Sequence, residues 1–152
     1  MAVSAILSKF GTPAALTITL ASLASSTTNV GRQSTLVSNA TTRHSLIHLY
    51  VKLKTATTSF AAGFGYVWLI RGDGTLRTDN AGASDDAFTA VNAMLLGALS
   101  LATAATTYQK SFWIADPGPE WGIAISHNTV AVLDSTAGSH AINWVGDNPE
   151  AQ

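Results

Sequence analysis

The sequence predicts an all-β protein, an antiparallel β-sandwich of the jelly-roll kind with an N-terminal arm and at most one short helix. Stretches in which apolar and polar residues alternate recur along the 152 residues, and a period of two is typical of strands with one buried face. Turn-forming clusters of Gly, Ser, Thr, Asn and Pro separate these stretches at the intervals typical of sandwiches. Long amphipathic helical patterns are almost missing, so we expect little helix.

The first twelve residues are predicted to form the arm, and residues 13–152 the single sandwich domain. The arm carries apolar side chains at Ile6, Leu7 and Phe10. It ends at a Gly-Thr-Pro sequence that interrupts regular structure. We expect these three apolar side chains to dock on a neighbouring subunit.

Two short strands are predicted before residue 40. Residues 16–20 read Leu-Thr-Ile-Thr-Leu, which alternates as a strand with one buried face does. Residues 34–37 form a second candidate, between polar loops at 25–32 and 38–42.

Residues 44–54 give the clearest strand prediction, because they sort by parity. The odd-numbered residues, from Ser45 to Leu53, are mostly apolar and form the predicted core face. The even-numbered residues, which include His48 and Tyr50, are predicted to face solvent or a subunit interface.

Residues 64–70 form a continuous apolar and aromatic run, which predicts a strand covered on both faces. Its side chains Tyr66, Trp68 and Ile70 are therefore candidates for the contact at an oligomer axis. The Arg-Gly-Asp-Gly sequence that follows contains the tripeptide recognised by adhesion receptors. Its position before a possible return strand at 75–78 favours a plain hairpin turn.

Residues 84–101 fit both a helix and a strand. Ser84 is a suitable helix cap, and Asp85 and Asp86 suit a first helical turn. Gly97 and the Thr/Ala-rich tail favour a strand from about Met94. We expect one helical turn followed by a strand.

The C-terminal third is predicted to contain three strands and two turns. The turns are Asp116-Pro-Gly-Pro119 and residues 135–139. The strands span residues 108–115, 121–127 and 140–146.

Composition excludes several classes of function. The chain has no cysteine, a formal net charge of −1 and eight scattered basic residues, so we expect no disulfide or thiolate chemistry and no nucleic-acid partner. No apolar stretch approaches the length of a membrane span, so no membrane partner is expected. Only 11% of residues are charged against 47% hydrophobic, which is typical of a subunit that is buried against neighbours.

No catalytic residue, cofactor site or metal site is predicted. His44 and His48 would share a strand face about 13 Å apart, too far for one zinc ion. The nucleophile-elbow and phosphate-loop motifs are missing from the sequence. The four tryptophans and three tyrosines favour core and subunit contacts over a platform for sugars. We therefore expect a protein that is not an enzyme.

Several short segments resemble small structural proteins of tailed bacteriophages. The resemblance is carried by Leu16-Thr-Ile-Thr-Leu-Ala-Ser-Leu-Ala-Ser-Ser26, Val30-Gly-Arg-Gln-Ser34, Leu49-Tyr-Val-Lys-Leu53, Ala93-Met-Leu-Leu-Gly97, Thr107-Tyr-Gln-Lys110, Glu120-Trp-Gly-Ile123 and the closing segment 141–146. It spans most of the chain after the arm.

This resemblance implies a virion protein located on the capsid surface, a decoration (cement) protein. Such a protein binds the outer face of the phage head and bridges major capsid subunits, commonly as a homo-oligomer and often as a trimer. The alternative is a phage fibre, tail or connector subunit, including a receptor- or glycan-binding module. The resemblance brings no catalytic residues with it.

Overall fold

The computed structural model describes residues 6–26, 30–78, 84–87 and 93–151. Within these ranges the chain forms eleven strands and one 3-10 turn. The strands are β1 (Ile6–Phe10), β2 (Ala14–Ala15), β3 (Val30–Gln33), β4 (Val37–Ser38), β5 (Leu46–Lys54), β6 (Gly63–Gly72), β7 (Asp86–Ala87), β8 (Met94–Leu101), β9 (Thr107–Ala115), β10 (Glu120–His127) and β11 (Ala141–Ala151), and the turn spans Ala137–Ser139. Among the described residues, no helical segment has the length and hydrophobicity that a bilayer crossing needs.

The strands form two antiparallel sheets that pack face to face. Sheet 1 has the order β1-β11-β5-β9, with β2 also paired to β11. Sheet 2 has the order β7-β3-β10-β6-β8, with β4 also paired to β10. All the strand pairs are antiparallel and the long strands are divided between the two sheets, so the predicted antiparallel β-sandwich is confirmed.

The core lies between the two sheets and follows the parity of the long strands. On β5 the predicted core residues Ile47, Leu49, Val51 and Leu53 are all buried. Sheet 2 supplies the opposing side chains, which include Val67, Leu69, Ile123, Ile125 and the fully buried Trp121. Burying this apolar surface between the sheets is the main contribution to folding stability.

The described part of the predicted arm belongs to sheet 1. Residues Ile6 to Phe10 form β1, which pairs with the last residues of β11 from Asp147 to Ala151. The backbone N–H of Gly11 then donates to the carbonyl of Gly146 at 2.8 Å. The arm therefore adds an edge strand to the sandwich.

The strand predicted at residues 16–20 does not form, and β2 precedes it at Ala14–Ala15. The alternation still marks burial, because Leu16 and Leu20 enter the core. The carbonyls of Thr19 and Ala21 accept hydrogen bonds from the Arg32 guanidinium at 3.0 and 2.9 Å. A side chain thus occupies acceptors that a neighbouring strand would otherwise use.

The strand predicted at 34–37 is wrong, because residues 34–36 lie between two short strands and only Val37 belongs to one of them. Val30–Gln33 and Val37–Ser38 form separate strands, both paired with β10. Between them the Ser34 hydroxyl accepts the backbone N–H of Ile123 at 3.0 Å, so β10 keeps a partner across the gap.

The helical turn predicted after Ser84 is wrong. Asp86–Ala87 forms β7, which pairs with Val30 and Gly31 of β3. Asp85 bonds the Arg32 guanidinium at 2.5 Å instead of a helix N-terminus. The strand expected from Met94 forms as β8, and Phe88 and Val91 lie outside the described residues.

Candidate binding surfaces

Buried histidines serve the fold. His127 Nε2 lies 2.9 Å from the carbonyl oxygen of Leu23 and its Nδ1 lies 3.0 Å from Thr129 Oγ1. His140 Nε2 lies 2.9 Å from the carbonyl oxygen of Asp134. Burial lowers the pKa of both imidazoles, and the hydrogen bonds to carbonyls oppose that shift.

The other two histidines do not form a pair. His44 precedes β5 and its ring packs against Trp144, with ring centroids 5.8 Å apart. His48 lies on the outer face of sheet 1, so the expectation that the two share a strand face is wrong. Within the described ranges, no group of three or more His, Cys, Asp or Glu side chains is placed to hold a metal ion.

The Arg-Gly-Asp sequence forms the predicted hairpin turn. The Asp73 carboxylate accepts the backbone N–H groups of Thr75 and Leu76 at 2.8 and 2.7 Å, and these hydrogen bonds lower its pKa. The N–H of Thr78 donates to the carbonyl of Arg71 at 2.9 Å. The carboxylate is therefore engaged with its own turn.

The outer face of sheet 2 carries an aromatic surface, which we call the sheet 2 patch. It consists of Phe64, Tyr66 and Trp68 on β6 and of Leu95, which lies opposite Trp68 on β8. The three rings follow one another with centroids 6.2 and 6.3 Å apart. Phe64 and Leu95 are each 47% exposed.

Small uncharged residues border the sheet 2 patch. Ser100 and Ala98 lie opposite Phe64 and Tyr66 on β8, while Ala124 and Ser126 lie opposite Trp68 and Tyr66 on β10. The Trp68 indole N–H donates to Ser126 Oγ at 3.1 Å. The patch is thus a row of rings between two rows of short side chains, with no charged side chain on these neighbours.

Sheet 1 carries a second aromatic surface on its outer face. The His48 ring lies between Phe10 and Trp113, with ring centroids 5.2 and 3.5 Å away. Phe10 and Trp113 are 58% and 61% exposed, whereas His48 is buried between them. The Nε2 atom of His48 has no hydrogen-bond partner among the described residues.

A groove of about 340 Å³ continues from this aromatic surface along sheet 1. We call it the Tyr50 groove. Its outward side chains form two rows across the strands β9, β5 and β11. The first row consists of Ser111, Tyr50 and Asn143, and the second row of Gln109, Lys52 and Ala141. The short Ala141 side chain leaves space beside Lys52.

The six residues predicted to form interfaces are divided between the two sheets. Phe10 lies on the outer face of sheet 1, and Tyr66 and Trp68 lie half-buried in the sheet 2 patch. Ile70 continues the same face but is fully buried with Ala124. The side chains of Ile6 and Leu7 lie outside the described ones.

Both faces of β6 were predicted to be covered. The outer face is covered at Ile70, where Leu36 and Ala93 pack, and open at Phe64. The sequence prediction singled out neither Trp113 nor the Tyr50 groove. Exposure alternates over the last five residues of β9, where Phe112 and Ile114 are buried and Trp113 is exposed.

No protein-family model matches the chain, and no curated protein is significantly similar to it in sequence.

Proposed function

We propose that this chain is a structural protein of a tailed-phage virion, a capsid decoration protein that binds the outer surface of the head. In this role it bridges major capsid subunits, associates with itself, expected as a trimer, and stabilises the shell. It catalyses no reaction and needs no cofactor. The single observation that carries the proposal is the sheet 2 patch, an uncharged aromatic face on the outer side of the sheet.

The composition of the sheet 2 patch suits a permanent contact. Protein interfaces are rich in aromatic residues and poor in charges at their centres. Phe64 and Leu95 supply exposed apolar surface, and the flanking Ala and Ser side chains let a partner approach the rings closely. The free energy gained by burying such a surface is roughly proportional to its area and does not depend on direction. The same surface can therefore form the same contact many times on a lattice.

The scarcity of charge supports the same role. With 11% charged residues, most of the available contact surface is neutral. Contacts between neutral surfaces are not screened by salt, whereas contacts between exposed charges are. We expect binding to heads to change less than about threefold between roughly 0.05 and 0.5 M salt.

A pelleting experiment tests the proposal. Heads purified from a phage mutant that lacks this gene are mixed with the purified protein, and bound protein is measured after sedimentation. The wild-type protein is expected to saturate the heads at defined positions visible by electron microscopy. The double variant Phe64→Ser/Leu95→Ser is expected to bind at least about tenfold more weakly, because it removes two exposed apolar side chains.

The matched control applies the same chemical change elsewhere. Leu76 and Val130 are 73% and 71% exposed and lie outside the patch, so Leu76→Ser/Val130→Ser should bind heads like the wild type. A wild-type protein that remains monomeric at high concentration and ignores heads would overturn the proposal. Density on the tail or at the connector, with six-fold symmetry, would favour the alternative fibre, tail or connector role.

A further inference from the structure

We infer that the Tyr50 groove on sheet 1 is a binding site for an oligosaccharide, with a preference for chains that carry a carboxylate. The inference does not rest on the virion role, because it concerns the opposite face of the sandwich and is tested on the isolated protein.

The polar side chains of the groove are available to a ligand. Gln109 and Ser111 point outward from β9 and Asn143 from β11, and none of them makes a side-chain hydrogen bond within the described part of the chain. The hydroxyl group of Tyr50 is likewise unpartnered there. Amide and hydroxyl groups can both donate and accept, which matches the hydroxyl groups of a sugar.

Aromatic rings lie beside these polar groups. Tyr50 is 50% exposed at the centre of its row, and Trp113 lies two residues beyond Ser111 on the same face of β9. Same-face neighbours on a strand lie about 7 Å apart, so Trp113 lies next to the Ser111 end of the groove, although it is not one of the lining residues. A surface of rings with a few convergent polar groups is typical of sites for small ligands. The C–H faces of a sugar pack on such rings, while its hydroxyl groups bond the amides.

The charge of the groove selects among saccharides. Lys52 lies at the centre of the second row, and its ammonium group donates to the carbonyl of Gly138 at 3.0 Å. None of the residues that line the groove is acidic, and the nearby carboxylate of Asp134 pairs with Lys54 at 3.2 Å. The ammonium group of Lys52 is therefore not neutralised by a carboxylate in the groove, which favours an anionic ligand.

The two outer faces differ in the partner that they suit. The sheet 2 patch is bordered by small uncharged residues, whereas the Tyr50 groove presents unpaired donors and acceptors and is lined by two lysines, Lys52 and Lys110. Because the sheets lie on opposite sides of the sandwich, a subunit that docks through sheet 2 leaves the groove open to solvent.

Binding to defined saccharides tests the inference. The purified protein is applied to an array of bacterial capsular and O-antigen oligosaccharides, and affinities for polygalacturonate and dextran fragments are measured by calorimetry. We expect binding to acidic chains that is stronger than binding to neutral ones. Tyr50→Ala and Asn143→Ala should each weaken binding roughly tenfold, and Lys52→Met should remove the preference for acidic chains.

The control variant is Phe64→Ala on sheet 2, which should leave saccharide binding unchanged. Circular dichroism and thermal unfolding of each variant show whether it remains folded. Failure of the wild-type protein to bind any saccharide on the array would overturn the inference. Binding that survives Tyr50→Ala and Asn143→Ala in folded protein would also overturn it, because the site would then lie elsewhere.

Discussion

The indole of Trp121 meets the indole of Trp144 edge to face, with ring centroids 5.2 Å apart and planes at 89°. Trp121 belongs to sheet 2 and Trp144 to sheet 1, so this contact joins consecutive strands of opposite sheets across the core. Edge-to-face geometry places the positive ring edge of one aromatic on the negative face of the other.

Trp121→Ala is expected to destabilise the fold by about 3–5 kcal/mol, because it removes a fully buried ring and leaves a cavity between the sheets. Urea unfolding followed by circular dichroism measures the loss. The same substitution at the exposed Trp113 should cost less than about 1 kcal/mol. Equal losses of unfolding free energy at Trp121 and Trp113 would show that the contact of Trp121 between the sheets contributes no more than an exposed ring does.

Gly31→Ala tests the close pairing of β3 with β10. A Cβ atom at Gly31 would lie 2.7 Å from the carbonyl oxygen of Ile125, and a backbone atom can retreat only if the ladder moves. We expect a loss of roughly 1–3 kcal/mol in the free energy of unfolding. At Gly138 the added methyl group meets nothing within 4 Å, so Gly138→Ala should be neutral or slightly stabilising. A stable Gly31→Ala protein would contradict the packing described for this pair.

Arg32→Met tests the guanidinium that holds three segments together. Arg32 donates to the carbonyls of Thr19 and Ala21 and pairs with Asp85 of the segment before β7. Hydrogen bonds to charged groups contribute more than neutral ones, so we expect a loss of about 2 kcal/mol. Arg77→Met is the control, since the Arg77 side chain is 45% exposed and lies 3.9 Å from Glu120. Its loss should stay below about 0.5 kcal/mol in the same unfolding measurement.

Stability should fall as the pH is lowered below about 6.5, because of His127 and His140. Burial lowers the pKa of both in the folded state below the ordinary value of 6.5, so the unfolded chain binds protons first as the pH falls. Their contribution is complete above pH 6.5 and is lost as the pH falls through the folded pKa values. Urea unfolding at pH 8, 6.5 and 5 measures this change.

Two comparisons distinguish the contribution of the histidines to the pH dependence of stability from that of other groups that bind protons in acid. The pKa of Asp134 is also lowered from 3.8, first by the N–H of Thr136, but its contribution is lost only as the pH falls below about 4. His127→Gln should reduce the slope between pH 6.5 and 5, and His140→Gln should do so independently. A slope that neither substitution changes would refute the assignment.

The sequence predicts an element correctly where the local pattern of residues and the pairing with a neighbouring strand favour the same structure. The period of two in β5 is strong enough to place Ile47 and Leu49 inside and Tyr50 outside. The same pattern at residues 16–20 fails as a strand prediction, because the Arg32 side chain from a distant segment takes the carbonyls. The helix signals at Ser84 fail similarly, since Asp85 finds its partner 53 residues away.

The surfaces are less predictable than the fold because each is assembled from distant segments. The Tyr50 groove places Ser111 and Asn143 on either side of Tyr50, and nothing local to any of these residues indicates the others. His48 is buried because Phe10 of β1 and Trp113 of β9, both distant from it in sequence, lie against its ring. The parity of each strand predicts which side chains face outward, whereas strand order decides which of them meet.

The pairing of Ile6 with Ala151 in the last rung of the β1–β11 ladder has a practical consequence for protein engineering. In a polypeptide shortened to residues 6–151, a short peptide that joins these two positions would close the chain into a ring, and the ring could be reopened at the tip of the Asp73 hairpin. Because the two joined positions adjoin, such a shortened chain should tolerate circular permutation. A passenger domain attached at either position would emerge from the same corner of the molecule.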